Sequence, residues 1–180
     1  DALRLRLQAD GFRGVEWVSR GVDVEAFSPS FRCEDLRRQW QATSDDAVLL
    51  YVGRIAAEKN LGLLVQAHDA ARQVRPGTRL VIVGDGPLRQ SLQEARPDAI
   101  FAGQRSGADL AKHFASADLF VFPSVTETFG NVVAEAMASG LSVLAFDEAA
   151  AAQLIEPGRS GALVARGNEA QFVRAAAALS

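Results

Sequence analysis

Six compact apolar runs, each separated from the next by a longer segment of helical pattern, decide most of what this chain can fold into. The runs are AVLLYVG at 47–53, RLVIVG at 79–84, AIFAG at 99–103, DLFVFPS at 118–124, LSVLAF at 141–146 and GALV at 161–164. Helical patterns lie at about 59–75, 87–95, 107–116, 130–139, 148–155 and 168–179. Strands that cross over through helices into a parallel sheet produce this alternation. Several runs are apolar at consecutive positions, as expected when helices cover both faces of the sheet. The expected fold class is therefore α/β: a Rossmann-like parallel sheet of about six strands with helices on both faces. The 180 residues, 48% of them hydrophobic, are enough for a sizeable core. Residues 1–20 read as a lead-in and 21–180 as the domain itself, because DALRLRLQADGF has the pattern of a helix already under way. Asp1 in place of a start methionine adds the expectation of a longer parent protein whose N-terminal domain precedes this one.

Charge and composition then remove whole classes of function. A net charge of -3, with no basic run longer than two residues, argues against nucleic acid as the partner, since phosphate-backbone binders concentrate Lys and Arg. No stretch approaches the ~20 apolar residues of a membrane span. The single cysteine, Cys33, has no internal disulfide partner and no nearby zinc ligands, which suits a reducing compartment.

In an open parallel sheet, ligands gather at the carboxyl ends of the strands, so the residues after each strand carry the functional reading. GRIAAEKNL comes after the first: Gly53 for a tight exit, then Arg54, then Lys59 at the start of a helix. A planar fork and a point charge suit a diphosphate, although the spacing alone fits two solvated surface cations equally well. After the second strand, VGDGPLRQ begins the G-x-G-x-x-G dinucleotide pattern with Gly84 and Gly86, but Arg89 stands where the third glycine belongs. Its side chain would obstruct close helix packing, which argues against a nicotinamide cofactor.

The segment TETFGNVVAEAM at 126–137 is the most informative. It leads from the fourth strand into a helix whose first turn offers unpaired N–H groups and a partial positive charge, a ready site for phosphate or hydroxyl oxygens. At ~100° per residue, Val132, Val133, Ala136 and Met137 sweep most of the circumference and leave Glu135 on its own strip. Glu135 must face a wet opening or be buried with a partner, because an unpaired buried carboxylate is costly. A surface position is the plain alternative. If the opening is the cleft above the sheet, Glu135 and Glu127 both face whatever rests on the helix tip, and a carboxylate can accept two hydrogen bonds from a vicinal diol.

The series GVDVEAFSP, YVGRIAAEKNL, VIVGDGPLRQSL, ADLFVFPSVTETFGNVVAEAMASGLSVLAFD and PGRSGALV, in this order and spacing, resembles the C-terminal, nucleotide-sugar-binding half of glycosyltransferase family 4, retaining enzymes of the GT-B fold. The similarity runs from about Gly21 to Leu179, and Glu127 and Glu135 stand at the two acids of the family's E-x7-E motif. WVSRGVD, EKNL and ETFGNVVAEAMASG most resemble bacterial enzymes that move mannose from GDP-mannose onto lipid or glycan acceptors; sulfolipid-making relatives are similar too. The resemblance implies that Arg54 and Lys59 hold the donor diphosphate and that Glu127 contacts the donor sugar. It further implies that the backbone at Thr128, Phe129, Gly130 and Asn131 cradles the sugar and distal phosphate. Glu135 would bind the ribose hydroxyls, and Gln104 and Arg105 would lie at the base. Two departures stand out: Ser142 where a proline is usual, and alanines near Ala149 and Ala150 where a glycine pair is usual.

The resemblance thus implies the donor-binding half of a retaining hexosyltransferase, with a nucleotide-diphosphate sugar as donor, no cofactor and no metal. The chain has neither an Asp-x-Asp motif nor a histidine cluster. Glu127 and Glu135 are not a glycosidase pair, since the resemblance gives them different ligands. His68 and His113 fall within helical patterns away from strand ends and read as structural. The implied partner is an N-terminal acceptor domain of the same protein. A cytoplasmic location is expected, with peripheral contact at the inner face of the membrane through that absent half left open. The fragment alone should bind donor and transfer nothing. Two alternatives remain: a silent nucleotide-binding or scaffolding domain, and a GT-B sugar-nucleotide epimerase.

Overall fold

The computed structural model describes residues 2–16, 21–124 and 131–180. Its centre is one parallel sheet of six strands: β1 (Val48–Val52), β2 (Arg79–Val83), β3 (Ile100–Gly103), β4 (Leu119–Phe122), β5 (Ser142–Phe146) and β6 (Gly161–Val164). Their order across the sheet is β3-β2-β1-β4-β5-β6. All six lie within the expected runs.

The helices are α1 (Ala2–Ala9), α2 (Glu34–Gln39), α3 (Leu61–Val74), α4 (Arg89–Ala95), α5 (Gly107–Ala115), α6 (Asn131–Ala138), α7 (Ala149–Leu154) and α8 (Glu169–Leu179). Because side chains alternate along a strand, each strand supplies both cores. Leu50, Val81, Phe120 and Val143 meet Trp40, Phe114, Val133, Ala136 and Ala151 on one face. Leu49, Leu80, Leu119 and Leu144 meet Leu64 and Ala67 of α3, and Phe172 and Ala176 of α8, on the other. Burying one such large side chain contributes about 1.5–3 kcal/mol, so two complete layers outweigh any surface ion pair here.

Two local features differ from the sequence reading. The helix expected from residue 59 begins at Leu61; Lys59 instead ends a short 3-10 turn, Ala57–Lys59. Asn60 breaks the two apart at φ 51°, a left-handed conformation that asparagine tolerates better than most residues. The second is α2, whose sequence EDLRRQ has no apolar stripe to announce it. It forms with Glu34 and Asp35 in its first turn and Arg37 and Arg38 in its last, the arrangement the helix dipole favours.

Arg37 points inward from α2 and is 1% exposed. Its fork donates to the carbonyls of Thr43, Asp46 and Ser116 at 2.9, 2.8 and 2.9 Å and to the Asp118 carboxylate at 2.9 Å, while its buried Nε has no partner among the described residues. Asp118 also accepts the Val48 N–H at 2.8 Å. One guanidinium thus ties α2 to the entrances of β1 and β4.

Both histidines are buried parts of the frame. His68 contacts the Thr78 carbonyl through Nε2 at 3.2 Å and Arg96 through Nδ1 at 3.0 Å. Since a guanidinium can only donate, Nδ1 accepts and Nε2 carries the proton; burial holds the imidazole below its ordinary pKa. His113 donates from Nδ1 to the Asp109 carbonyl at 2.7 Å and lies against Trp40, ring centres 5.6 Å apart.

Ala149, one of the alanines noted above, opens α7 at φ 49°. A Cβ makes that conformation unfavourable by about 1 kcal/mol, a strain glycine avoids. Ala149→Gly should therefore raise stability by up to about 1 kcal/mol, read as a higher urea midpoint with an unchanged m-value; a lower midpoint would refute the strain.

Among the described residues no helix is long and apolar enough to cross a membrane.

Candidate donor-binding site

The sheet order creates one position unlike the others. β1 continues through α3 to β2 on one side, whereas its other neighbour, β4, continues through α6 to β5 on the opposite side. α3 and α6 also pack on opposite faces. The exits of β1 and β4 therefore diverge and leave a crevice, the position where open α/β sheets bind ligands. Leu50 is in register with Phe120, so the two exits, Gly53-Arg54 and Pro123-Ser124, are neighbours across ~4.8 Å of sheet.

Arg54 and Lys59 stand on the β1 side of this crevice. The Arg54 guanidinium is 66% exposed and lies 3.7 Å from the Glu58 carboxylate, while its backbone carbonyl accepts the Tyr51 hydroxyl at 2.9 Å. The backbone is thus anchored from below while the charged fork stays accessible. On the β4 side, α6 is apolar almost all round: Val133 and Ala136 are buried, and Val132, Ala134, Met137 and Ala138 are partly so. Asn131 is exposed at its first position. Glu127, Thr128, Phe129 and Gly130 lie outside the described residues.

Glu135 is partly buried, and that burial pushes its carboxyl above the usual glutamate range. A carboxyl whose folded pKa is raised supports the fold most when protonated, and that support is lost as pH rises from the ordinary value of 4.5 through the folded one. Glu135→Gln should therefore melt higher than the parent chain at pH 7, with the advantage vanishing below pH 4.5. Equal melting temperatures at pH 7 would show that Glu135 is fully solvated.

The remaining exits are knitted to the first. Gly53 N–H donates to the Val83 carbonyl at 3.0 Å, Gly84 N–H to the Gly103 carbonyl at 2.8 Å, and Ile55 N–H to the Asp85 carbonyl at 2.9 Å. Leu88 N–H returns to the Ile55 carbonyl at 3.0 Å. A Cβ on Gly84, at φ +134°, would collide with the Gly53 carbonyl, and one on Gly86 with the backbone of Ile55. The glycines of VGDGPLRQ thus serve close backbone approach between turns. Arg89, in the place of the third glycine, pairs with Asp85 at 3.0 Å.

Gln104 and Arg105 leave β3, two strands from β1 and so ~10 Å along the sheet. The Arg105 guanidinium folds back onto the Ala102 carbonyl at 2.9 Å and onto Asp109 at 3.0 Å. There it lines a cavity of about 300 Å³ beside the free edge of β3, with Trp40, Asp109 and His113. Arg54 and Lys59 thus follow the β1 exit, and Asn131 and Glu135 belong to the helix that follows β4; the Arg105 guanidinium is engaged with its own turn.

Sequence reasoning missed the carboxylates facing these arginines. Three successive exits each carry an arginine and an acid four residues apart: Arg54–Glu58, Asp85–Arg89 and Arg105–Asp109. The shared spacing was the available signal.

A family model described as glycosyl transferases group 1 matches residues 46–180. The chain belongs to this family. This group 1 glycosyl transferase chain is 44% identical over 158 residues to the "GDP-mannose-dependent alpha-mannosyltransferase" of Mycobacterium tuberculosis (strain CDC 1551 / Oshkosh), covering 88% of this chain and 40% of that protein. Among solved structures, WaaG, "a glycosyltransferase involved in lipopolysaccharide biosynthesis", matches with TM-score 0.77 at 24% identity, over 91% of this chain and 46% of that one. Anabaena Alr3699/HepE in complex with UDP matches with TM-score 0.74 at 27% identity, over 94% and 49%. The architecture is half of a GT-B fold, and the chain spans roughly 40% of the length of the mannosyltransferase it matches.

Proposed function

We infer that this chain is the donor-binding half of a retaining hexosyltransferase that moves a hexose, mannose by analogy with its relatives, from a nucleotide-diphosphate sugar to a lipid or glycan acceptor. The observation that carries the reading is the divergence of the β1 and β4 exits, with Arg54 and Lys59 following β1 and the partly buried Glu135 in the helix that follows β4. Arg54 and Lys59 receive the diphosphate, Glu127 the sugar hydroxyls, and the backbone from Thr128 to Asn131 the sugar and distal phosphate. Glu135 receives the ribose: hydroxyls donating to it stabilise its ionised form and offset the penalty of burial. Gln104 and the β3 exit receive the base, the Arg105 fork being engaged with its own turn.

The chemistry asked of these residues is electrostatic. As the bond from the sugar's anomeric carbon to the phosphate oxygen breaks, its electron pair stays on the diphosphate. Arg54, Lys59 and the N–H groups opening α6 stabilise that growing charge. The acceptor oxygen attacks from the face the diphosphate leaves, and the departing phosphate takes its proton, which preserves anomeric configuration. Two preorganised cations meet the charge requirement without a metal. The acceptor and the opposite wall of the cleft belong to an N-terminal domain of the longer protein, with residues 1–20 as the lead-in to the 21–180 domain. That other half is also where contact with the inner face of the membrane would arise in a cytoplasmic enzyme.

Titration calorimetry of this chain with GDP, UDP, ADP and GDP-mannose tests the reading. Saturable one-to-one binding by at least one nucleotide, with no sugar transfer, is the expected result. Binding by none would sink the donor-site assignment, and transfer by these residues alone would sink the division of labour.

A further inference from the structure

The three arginine–carboxylate pairs at the strand exits are not equivalent. Asp85–Arg89 and Arg105–Asp109 both close at 3.0 Å, with the arginines 35% and 40% exposed. In each, the arginine or the acid is further tied to backbone: Asp85 accepts the Gly86 N–H at 2.7 Å, and Arg105 donates to the Ala102 carbonyl at 2.9 Å. These two are latches that hold turns. Arg54–Glu58 is longer, 3.7 Å, and its arginine is the most exposed of the three. It is also the pair nearest the crevice. A carboxylate has therefore been set beside the guanidinium best placed to meet a diphosphate, at a separation beyond hydrogen-bond length.

We propose that Glu58 is a product-release residue, which repels the spent nucleoside diphosphate more than the intact donor. The inference rests on the donor-site reading above. A phosphate hydrogen-bonded by Arg54 Nη1 lies within ~7 Å of the Glu58 carboxylate, inside the Debye length of ordinary buffer, so the like charges still interact. The two ligands differ in charge. In the donor the terminal phosphate is esterified by the sugar. When the anomeric C–O bond breaks and its electron pair remains on the phosphate oxygen, the product gains a monoester-like terminus whose second ionisation lies near pH 6. The product thus carries about one more negative charge than the donor at neutral pH, and Glu58 bears on that difference. Preorganisation acts in the opposite sense, since Glu58 also steadies Arg54, but an exposed pair at 3.7 Å contributes little. The repulsion dominates.

The test uses this chain and two ligand pairs, GDP with GDP-mannose and UDP with UDP-glucose, by calorimetry at pH 7.5. Glu58→Gln is expected to tighten the nucleoside diphosphate about three- to tenfold and the sugar nucleotide distinctly less, shifting the ratio of the two Kd values at least about twofold toward product. Glu58→Ala should give the same shift and Glu58→Asp should keep the parent ratio. The difference should collapse in 0.5 M salt, where the Debye length falls to ~4 Å. A Glu58→Gln ratio equal to that of the parent, or weaker binding of both ligands, overturns the inference while leaving the donor site intact. Absence of nucleotide binding by the parent chain overturns both.

Discussion

Removing both Arg54 and Lys59 should lower affinity for a nucleoside diphosphate by about two to four powers of ten. Each charge-assisted contact to phosphate contributes ~1.5–3 kcal/mol. The two contacts share one anion and one crevice, so if the remaining cation compensates in each single variant, the double variant should lose more than the sum of the two. Calorimetry of Arg54→Ala, Lys59→Ala and the double variant separates the cases, with circular dichroism to verify the fold. The Arg54 fork is two-thirds exposed and its backbone is held by Tyr51 and by the neighbouring turns, so its truncation should not disturb the strand exit. A double variant that binds nucleotide as tightly as the parent would leave the crevice without its proposed ligand.

The second large effect concerns stability. Arg37→Ala should cost about 3–5 kcal/mol, because it strips three carbonyls at the base of the sheet of the buried guanidinium and leaves Asp118 with only Arg32 and the Val48 N–H among the described residues. For a domain of this size that is a fall in Tm on the order of 10 °C. Arg37→Lys keeps the charge but not the fork; one ammonium cannot reach partners on both sides of a planar guanidinium, so most of the loss should remain. A loss under ~1 kcal/mol for the alanine variant would mean that water replaces the guanidinium without penalty.

These two arginines show what a linear reading can and cannot see. The strands were legible because a sheet covered on both faces needs consecutive apolar residues, and Val48–Val52 and Leu119–Phe122 supply them. Glu135 was legible because a lone acid on an otherwise apolar helix must go somewhere, and the structure finds it partly buried with its carboxyl raised. Arg37 was not, since a charged residue in EDLRRQ looks like surface until the fold brings Asp118 and the Ser116 carbonyl to it from some eighty residues away. The contact between the β1 and β4 exits is likewise a property of sheet order, which no local pattern encodes. The left-handed Asn60 that separates Lys59 from α3 escaped notice because KNLGLL reads as continuous helix.

The backbone stitches between the turns after β1, β2 and β3 also limit how this domain can diversify. Lengthening any one of them by a residue would tear bonds from its neighbour as well as from itself, so new nucleotide preferences must come from side chains exchanged at fixed backbone positions. Related domains built the same way should therefore differ in the chemistry of those turns far more than in their lengths.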